Sequence, residues 1–145
     1  MIEELRSLAT CAGDRAVAAR RAAEYIRSAR GYHWVGLYDV TTSHIVAIGW
    51  TGGTAPAHPT FPRSKGINGA AVTAGTPIIV QDVRHDPRYL TTFGSTRAEA
   101  IFPVRGADQG VVGTIDVESE QVNAFTAADE LFLEDCAASL APLWG

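Results

Sequence analysis

The run VVGTIDVESE at 111–120 opens like a buried strand and then carries acid. Strand side chains alternate with period two, so Val111, Gly113, Ile115 and Val117 share one face. Val112, Thr114, Asp116 and Glu118 share the other. Two readings are open. The acidic face is solvated, as one side of an antiparallel sheet commonly is, or it lines a pocket that takes a cation. In the second case, two carboxylates about 4 Å apart repel by about 4 kcal/mol at an effective dielectric near 20, so a partner of opposite charge is required. An internal arginine, Arg97 or Arg105, would make the cluster structural; a ligand ammonium would make it a binding site.

Other reactive residue types are sparse. The two cysteines, Cys11 and Cys136, fall in separate helix-like segments, which excludes a CxxC redox pair and a metal-binding spacing. Both read as small packing residues. His58 and His85 lie in loop-like stretches without a third ligand and read as solvated, so no metal site is expected. The net charge of −4 argues against a nucleic-acid surface. Arg15, Arg20, Arg21, Arg27 and Arg30 scatter along one early segment as a polar helix face.

The elements that must position these residues follow from periodicity. A length of 145 residues with 46% hydrophobic and 19% charged side chains suits one domain spanning 1–145. No apolar run is long enough to cross a membrane and no secretory signal is evident, so no membrane partner and a cytoplasmic location are expected. The spacing predicts a helix over residues 2 to about 10. A second follows Gly13-Asp14 and ends at Gly31, with Ala18, Ala22, Tyr25, Ile26 and Ala29 as its stripe. HWVGLYDV and HIVAIGW form a hairpin about TTS. A Gly-, Pro- and Thr-rich loop covers 51–62, and a short helix is predicted around 70–73, closed by Gly75. TPIIVQDV, AEAIFPV and GVVGTIDVES are further strands. Thr126 and Asp129 form a T-x-x-D start for a last helix whose stripe is Leu131, Phe132, Cys136, Leu140 and Leu143. This order predicts an α+β domain with one central antiparallel sheet, the N- and C-terminal helices on one face and pocket loops on the other.

The helix–hairpin opening, KGINGAAVTAGTPIIVQDV, Asp86-Pro87, AEAIFPV, GVVGTIDVES and FTAADELFLEDCAASL together resemble a GAF domain over nearly the whole chain. The resemblance implies the GAF fold. It leaves function open, because such domains bind varied small molecules or only pair with one another. Within that family the chain is most similar to the free methionine-(R)-sulfoxide reductases. That likeness implies a substrate site lined by Trp34 and Tyr38, which flank Gly36 and leave a gap between two rings. It also implies that Glu99, Asp116 and Glu118 hold the substrate's amino group. The family's loop cysteines are missing: Thr92 stands at the position matching the attacking thiol, and His58 and Asn68 at the other two.

The reading is therefore a non-catalytic, small-molecule-binding GAF sensor for an amine or amino-acid-like ligand, with no cofactor. Trp34, Tyr38, Asn68, Thr92, Glu99, Asp116 and Glu118 are the expected ligand-binding residues. Asn68 would orient the ligand through its amide, and the start of its helix would attract an anion. Signalling would use a homodimer through the terminal helices or a partner protein. The alternatives are a free methionine-(R)-sulfoxide reductase-like enzyme and an interaction or dimerisation module without a ligand.

Overall fold

A computed structural model describes residues 2–91 and 93–145. In chain order the elements are α1 (Ile2–Thr10), α2 (Arg15–Arg30), β1 (Trp34–Val40), β2 (His44–Thr51), β3 (Thr60–Pro62), α3 (Gly66–Ala74), β4 (Ile78–Val80), β5 (Ala98–Arg105), β6 (Val111–Ser119) and α4 (Ala127–Leu140). Single 3₁₀ turns occupy Val83–His85 and Ala141–Trp144. Local signals set the helix ends. Asp14 accepts a hydrogen bond from the Ala16 N–H at 2.9 Å, and Gly31, at φ +69°, closes α2. The sequence places the start of α3 too late: the helix begins at Gly66, with Lys65 as an N-cap that makes no side-chain bond. Without a capping side chain, nothing in the sequence marks that boundary.

The strands form one antiparallel sheet, as the sequence predicts, in the order β3-β2-β1-β6-β5-β4; β3 lies at the end of the stretch 51–62 that the sequence reads as loop. Val35 and Leu37 of β1, Ala100 and Phe102 of β5, and Ile115 and Val117 of β6 belong to the main core with α1, α2 and α4. Two missing side chains let neighbours lie close. A Cβ at Gly49 would collide with the Ala19–Arg20 backbone of α2, and one at Gly113 with the ring of Trp144. The Trp144 indole N–H donates to the Tyr38 carbonyl at 3.2 Å, so this ring caps the sheet.

Two predicted stripes are buried in part: Ala22 and Ile26 of α2 and Cys136 and Leu140 of α4 are buried as expected, and other positions differ. In α4 the buried residues include Leu133, Cys136, Ala137 and Leu140, whereas Leu131 is 67% exposed. In α2 the buried positions are Ala19, Ala22, Ala23 and Ile26, while Ala29 is exposed and Ala18 and Tyr25 are only half-buried. Neighbouring apolar residues, Ala18 with Ala19 and Ala22 with Ala23 in α2 and Leu131, Phe132 and Leu133 in α4, leave the edge of each stripe undetermined by composition. The apolar faces of α1 and α4 serve the internal core, through Leu5, Ala9, Leu133 and Leu140. No helix among the described residues is long and apolar enough to cross a membrane.

The start of α4 is held by the predicted capping box: the Asp129 N–H donates to Thr126 Oγ1, and Asp129 Oδ2 accepts from the Thr126 N–H at 2.7 Å. The same carboxylate accepts from Arg30 and from the Tyr32 hydroxyl, each at 2.6 Å, which ties α4 to the end of α2. Burial would raise the Asp129 pKa, but hydrogen bonds from Tyr32, Thr126 and Arg30 outweigh it and hold the group at about 2, below its ordinary 3.8. A depressed carboxylate contributes stability above its unfolded value and loses it as pH falls through the folded one; this shift is worth about 2 kcal/mol. Urea unfolding should therefore show a stability loss of about that size between pH 4 and 2, flattened in Asp129→Asn. At neutral pH, Asp129→Ala should cost about 3 kcal/mol by leaving Tyr32 and Arg30 without their acceptor.

Candidate functional site

Strand register assembles the site. On the sheet face away from α1 and α4, Trp34 of β1 pairs with Glu118 of β6, Gly36 with Asp116, and Tyr38 with Thr114. On the other side of β6, Glu99 of β5 lies directly opposite Glu118, and Ile101 opposite Asp116. Directly opposed residues have Cβ atoms about 4.5–5.5 Å apart, and like charges there are destabilising. Glu99, Asp116 and Glu118 nonetheless each present an oxygen within 4.8 Å of the other two. All three are at most 5% exposed, so the solvated-face reading fails.

Among the described residues no salt bridge involves Glu99 or Asp116. Arg97 donates to the carbonyls of Gly94 and Thr96, and Arg105 to those of Gly75 and Gln109. The internal-arginine alternative has no support in this geometry. Thr96 Oγ1 donates to Glu118 Oε1 at 2.8 Å. The buried oxygens Asp116 Oδ1 and Asn68 Oδ1 have no hydrogen-bond partner among the described residues.

Electrostatics follows from that burial. Loss of hydration, then repulsion from Glu118, pushes the Glu99 carboxyl well above its ordinary 4.5. Burial, then repulsion from Glu99 and Glu118, does the same to Asp116 against 3.8. The Tyr38 phenol is also raised, first by burial and then by the three acids, so it stays protonated at neutral pH.

A cavity of about 20 Å³ meets the trio, lined by Tyr38, His58, Asn68, Leu90, Glu99 and Asp116 among others. That is room for about one water. The sequence implied an open gap above Gly36, and the structure fills it: a Cβ there would strike the rings of both Trp34 and Tyr38. Trp34 packs edge-on against Phe93 with ring centroids 5.3 Å apart, and its indole N–H donates to the Thr54 carbonyl. Tyr38 meets Phe61 at 5.9 Å.

Of the residues expected at the site, Tyr38, Asn68, Glu99 and Asp116 border the cavity, Glu118 completes the trio, and Trp34 sits across from Glu118. Thr92 lies outside the described residues. The sequence missed Phe61, Leu90, Phe93 and Thr96, and it read His58 as solvated although this exposed side chain lines the cavity.

The GAF domain family model matches residues 14–142. Protein ZMO0507 of Zymomonas mobilis is 29% identical over 105 residues, covering 72% of this chain and 62% of that one. The chain spans less than two thirds of the length of the curated relatives it matches. The type II free methionine-R-sulfoxide reductase of Thermoplasma acidophilum superposes with a TM-score of 0.83 at 29% identity, over 90% of this chain and 95% of that one. The free methionine-R-sulfoxide reductase of Neisseria meningitidis, solved with its substrate, gives 0.87 at 26% identity over 99% and 85%.

Raised carboxyls contribute fully below their unfolded pKa values and lose that contribution as pH rises through the folded ones. The ligand-free protein should therefore melt at a lower temperature at pH 8 than at pH 5, and Asp116→Asn should flatten the decline; an equal decline in both would place the charge elsewhere. Gly36→Ala should displace one of the two rings at a cost of about 1–3 kcal/mol, visible in the melting temperature and in tryptophan emission.

Proposed function

The chain belongs to the GAF family, and on that footing we propose that it binds a small molecule bearing a primary ammonium group, an amino acid or amine, without transforming it. The observation that carries this reading is the convergence of three buried carboxyl groups, with Asp116 Oδ1 left without a hydrogen-bond partner among the described residues. An ammonium has three N–H donors, and with charged hydrogen bonds near 2.8 Å its three acceptors sit about 4.6 Å apart. The trio's oxygens, within 4.8 Å of one another, fit that triangle. Tyr38 and Trp34 border the same sheet face and add an aromatic attraction for a cation of about 0.5–2 kcal/mol each.

An amino acid would set its carboxylate against the first turn of α3. Gly66, Ile67 and Asn68 of that turn line the cavity, and a helix start offers N–H groups unused by the helix. The present cavity is far smaller than an amino acid, so lining side chains such as Leu90 must withdraw when it enters. The solved reductases act on an amino acid, free methionine sulfoxide, which supports this ligand class.

The chemistry of those relatives needs a nucleophilic thiolate and a second thiol to resolve the intermediate. Cys136 is buried in the helix-side core, where burial and then Asp135 push its thiol up to about 12. Cys11 is exposed just beyond α1. Neither lines the cavity. Transmission of a binding event would use a second copy of the chain or a partner protein.

A thermal-shift series with amino acids, both free methionine sulfoxide epimers and simple amines tests the reading. A ligand at 100 times its Kd should raise the melting point by roughly 5–15 °C, and the shift should be lost in Asp116→Asn. A shift that survives this substitution would remove the trio from the site. Turnover of free methionine sulfoxide in a Cys11→Ala, Cys136→Ala double variant would overturn the non-catalytic account.

A further inference from the structure

The oxygens gathered at this site outnumber what an ammonium donates. Three N–H groups are satisfied by three acceptors, and Glu99, Asp116 and Glu118 supply those. A further buried oxygen remains. Asn68 is 5% exposed, its Oδ1 makes no hydrogen bond among the described residues, and the residue lines the cavity shared by Glu99 and Asp116. It comes from α3, on a different element from any of the acids, so it is an independent sign of an occupant.

We infer that this small cavity is a calcium-type divalent cation site, in which Glu99, Asp116, Glu118 and the Asn68 side-chain oxygen hold a hard dication that competes with the amine. The inference rests on the reading of the trio as a cation site and names a second class of occupant, with a regulatory consequence.

Donor chemistry, size and charge favour this class. Every donor is a carboxylate or amide oxygen, the set preferred by hard cations; no sulfur lies among them. Calcium binds oxygens at about 2.3–2.6 Å with flexible geometry, so opposite ligands stand about 4.6–5.2 Å apart. The trio, with its oxygens within 4.8 Å, accepts such an ion with little movement. Magnesium contracts to about 2.1 Å and keeps several waters. A cavity of about 20 Å³, with room for about one water, has no space for that shell. A dication also offsets more of the trio's charge than an ammonium does, and it does so with the aromatic roof in place. Metal and amine would thus favour different states of the same site, the metal the present one and the amine one in which lining side chains such as Leu90 have moved.

The test uses Tb³⁺ as an emissive calcium substitute, because Trp34 opposite Glu118 and Tyr38 beside the cavity are placed to sensitise it. Sensitised emission should saturate at one ion per chain and be displaced by Ca²⁺ at concentrations where Mg²⁺ has little effect. Ca²⁺ alone should raise the melting temperature by about 5 °C or more at 100 times its Kd. The shift should vanish in Asp116→Asn, and affinity should fall at least tenfold in Asn68→Ala, with each variant's own melting transition reporting that it folds. Added Ca²⁺ should weaken amine binding.

Failure to shift or to displace Tb³⁺ by about 10 mM Ca²⁺, above the weakest protein calcium sites, would overturn the inference, as would a shift retained in both variants. An amine shift without any calcium effect would overturn the metal inference and leave the proposed function standing. A calcium effect without any amine shift would do the reverse, and silence from both would remove both.

Discussion

Three carboxyl groups are held side by side out of water, on adjacent strands of one sheet, and among the described residues no salt bridge reaches Glu99 or Asp116. At 4.8 Å and an effective dielectric near 20, each ionised pair costs about 3–4 kcal/mol in repulsion alone, and desolvation adds to that. Burial and repulsion of this kind favour the protonated form of a carboxyl. Both raise Glu99 and Asp116 accordingly. The arrangement is therefore stable only as a partly protonated set or as a cage around a cation. Arg97 and Arg105 give their donors to backbone carbonyls, so on the proposed reading the cation comes from a ligand.

The rest of the fold makes this arrangement possible by being asymmetric about the sheet. On the helix side the packing is continuous, and the close approaches at Gly49 and Gly113 bring α2 and Trp144 against the strands. The Arg30–Tyr32–Asp129 network fastens α2 to α4 beside it. Such a core offsets a locally unfavourable charge cluster and keeps β1, β6 and β5 in register. On the opposite face, smaller apolar clusters around Trp34, Tyr38 and Phe61, and around Ile67, Val83 and Ile101, surround a space of about one water. Stability is concentrated on one face and adaptability on the other, where long connections carry the roof.

Much of this was legible in the chain. Period-two alternation put Thr114, Asp116 and Glu118 on one face, and the strand and helix order gave the antiparallel sheet with its helical side. The Thr126–Asp129 capping box followed from spacing alone. What stayed hidden depended on tertiary placement. Glu99 stands alone in its strand, and only its register against Glu118 makes it part of a trio; the sequence pointed to it through family likeness. The edge of the α4 stripe was misplaced at Leu131 because Leu131, Phe132 and Leu133 are adjacent and all apolar. Phe93, Leu90 and Thr96 lie in an irregular segment with no periodicity to reveal what they cover. The sequence also implied an open space between Trp34 and Tyr38, which the rings themselves close.

The chain's two cysteines, Cys11 and Cys136, stand away from the cavity that Glu99 and Asp116 line. On the proposed reading the site works through charge, exchanging protons for a cation. The most direct test is to count those protons. Calorimetry of a bound cation, amine or Ca²⁺, repeated near pH 7 in buffers of different ionisation enthalpy, gives the number released per site. The account predicts release of about one proton or more, lost in Asp116→Asn, because the carboxyls must ionise to take up the charge. Binding with no proton release in any buffer would mean that the acids were already ionised, or were never the site, and would contradict the claim on which the account rests.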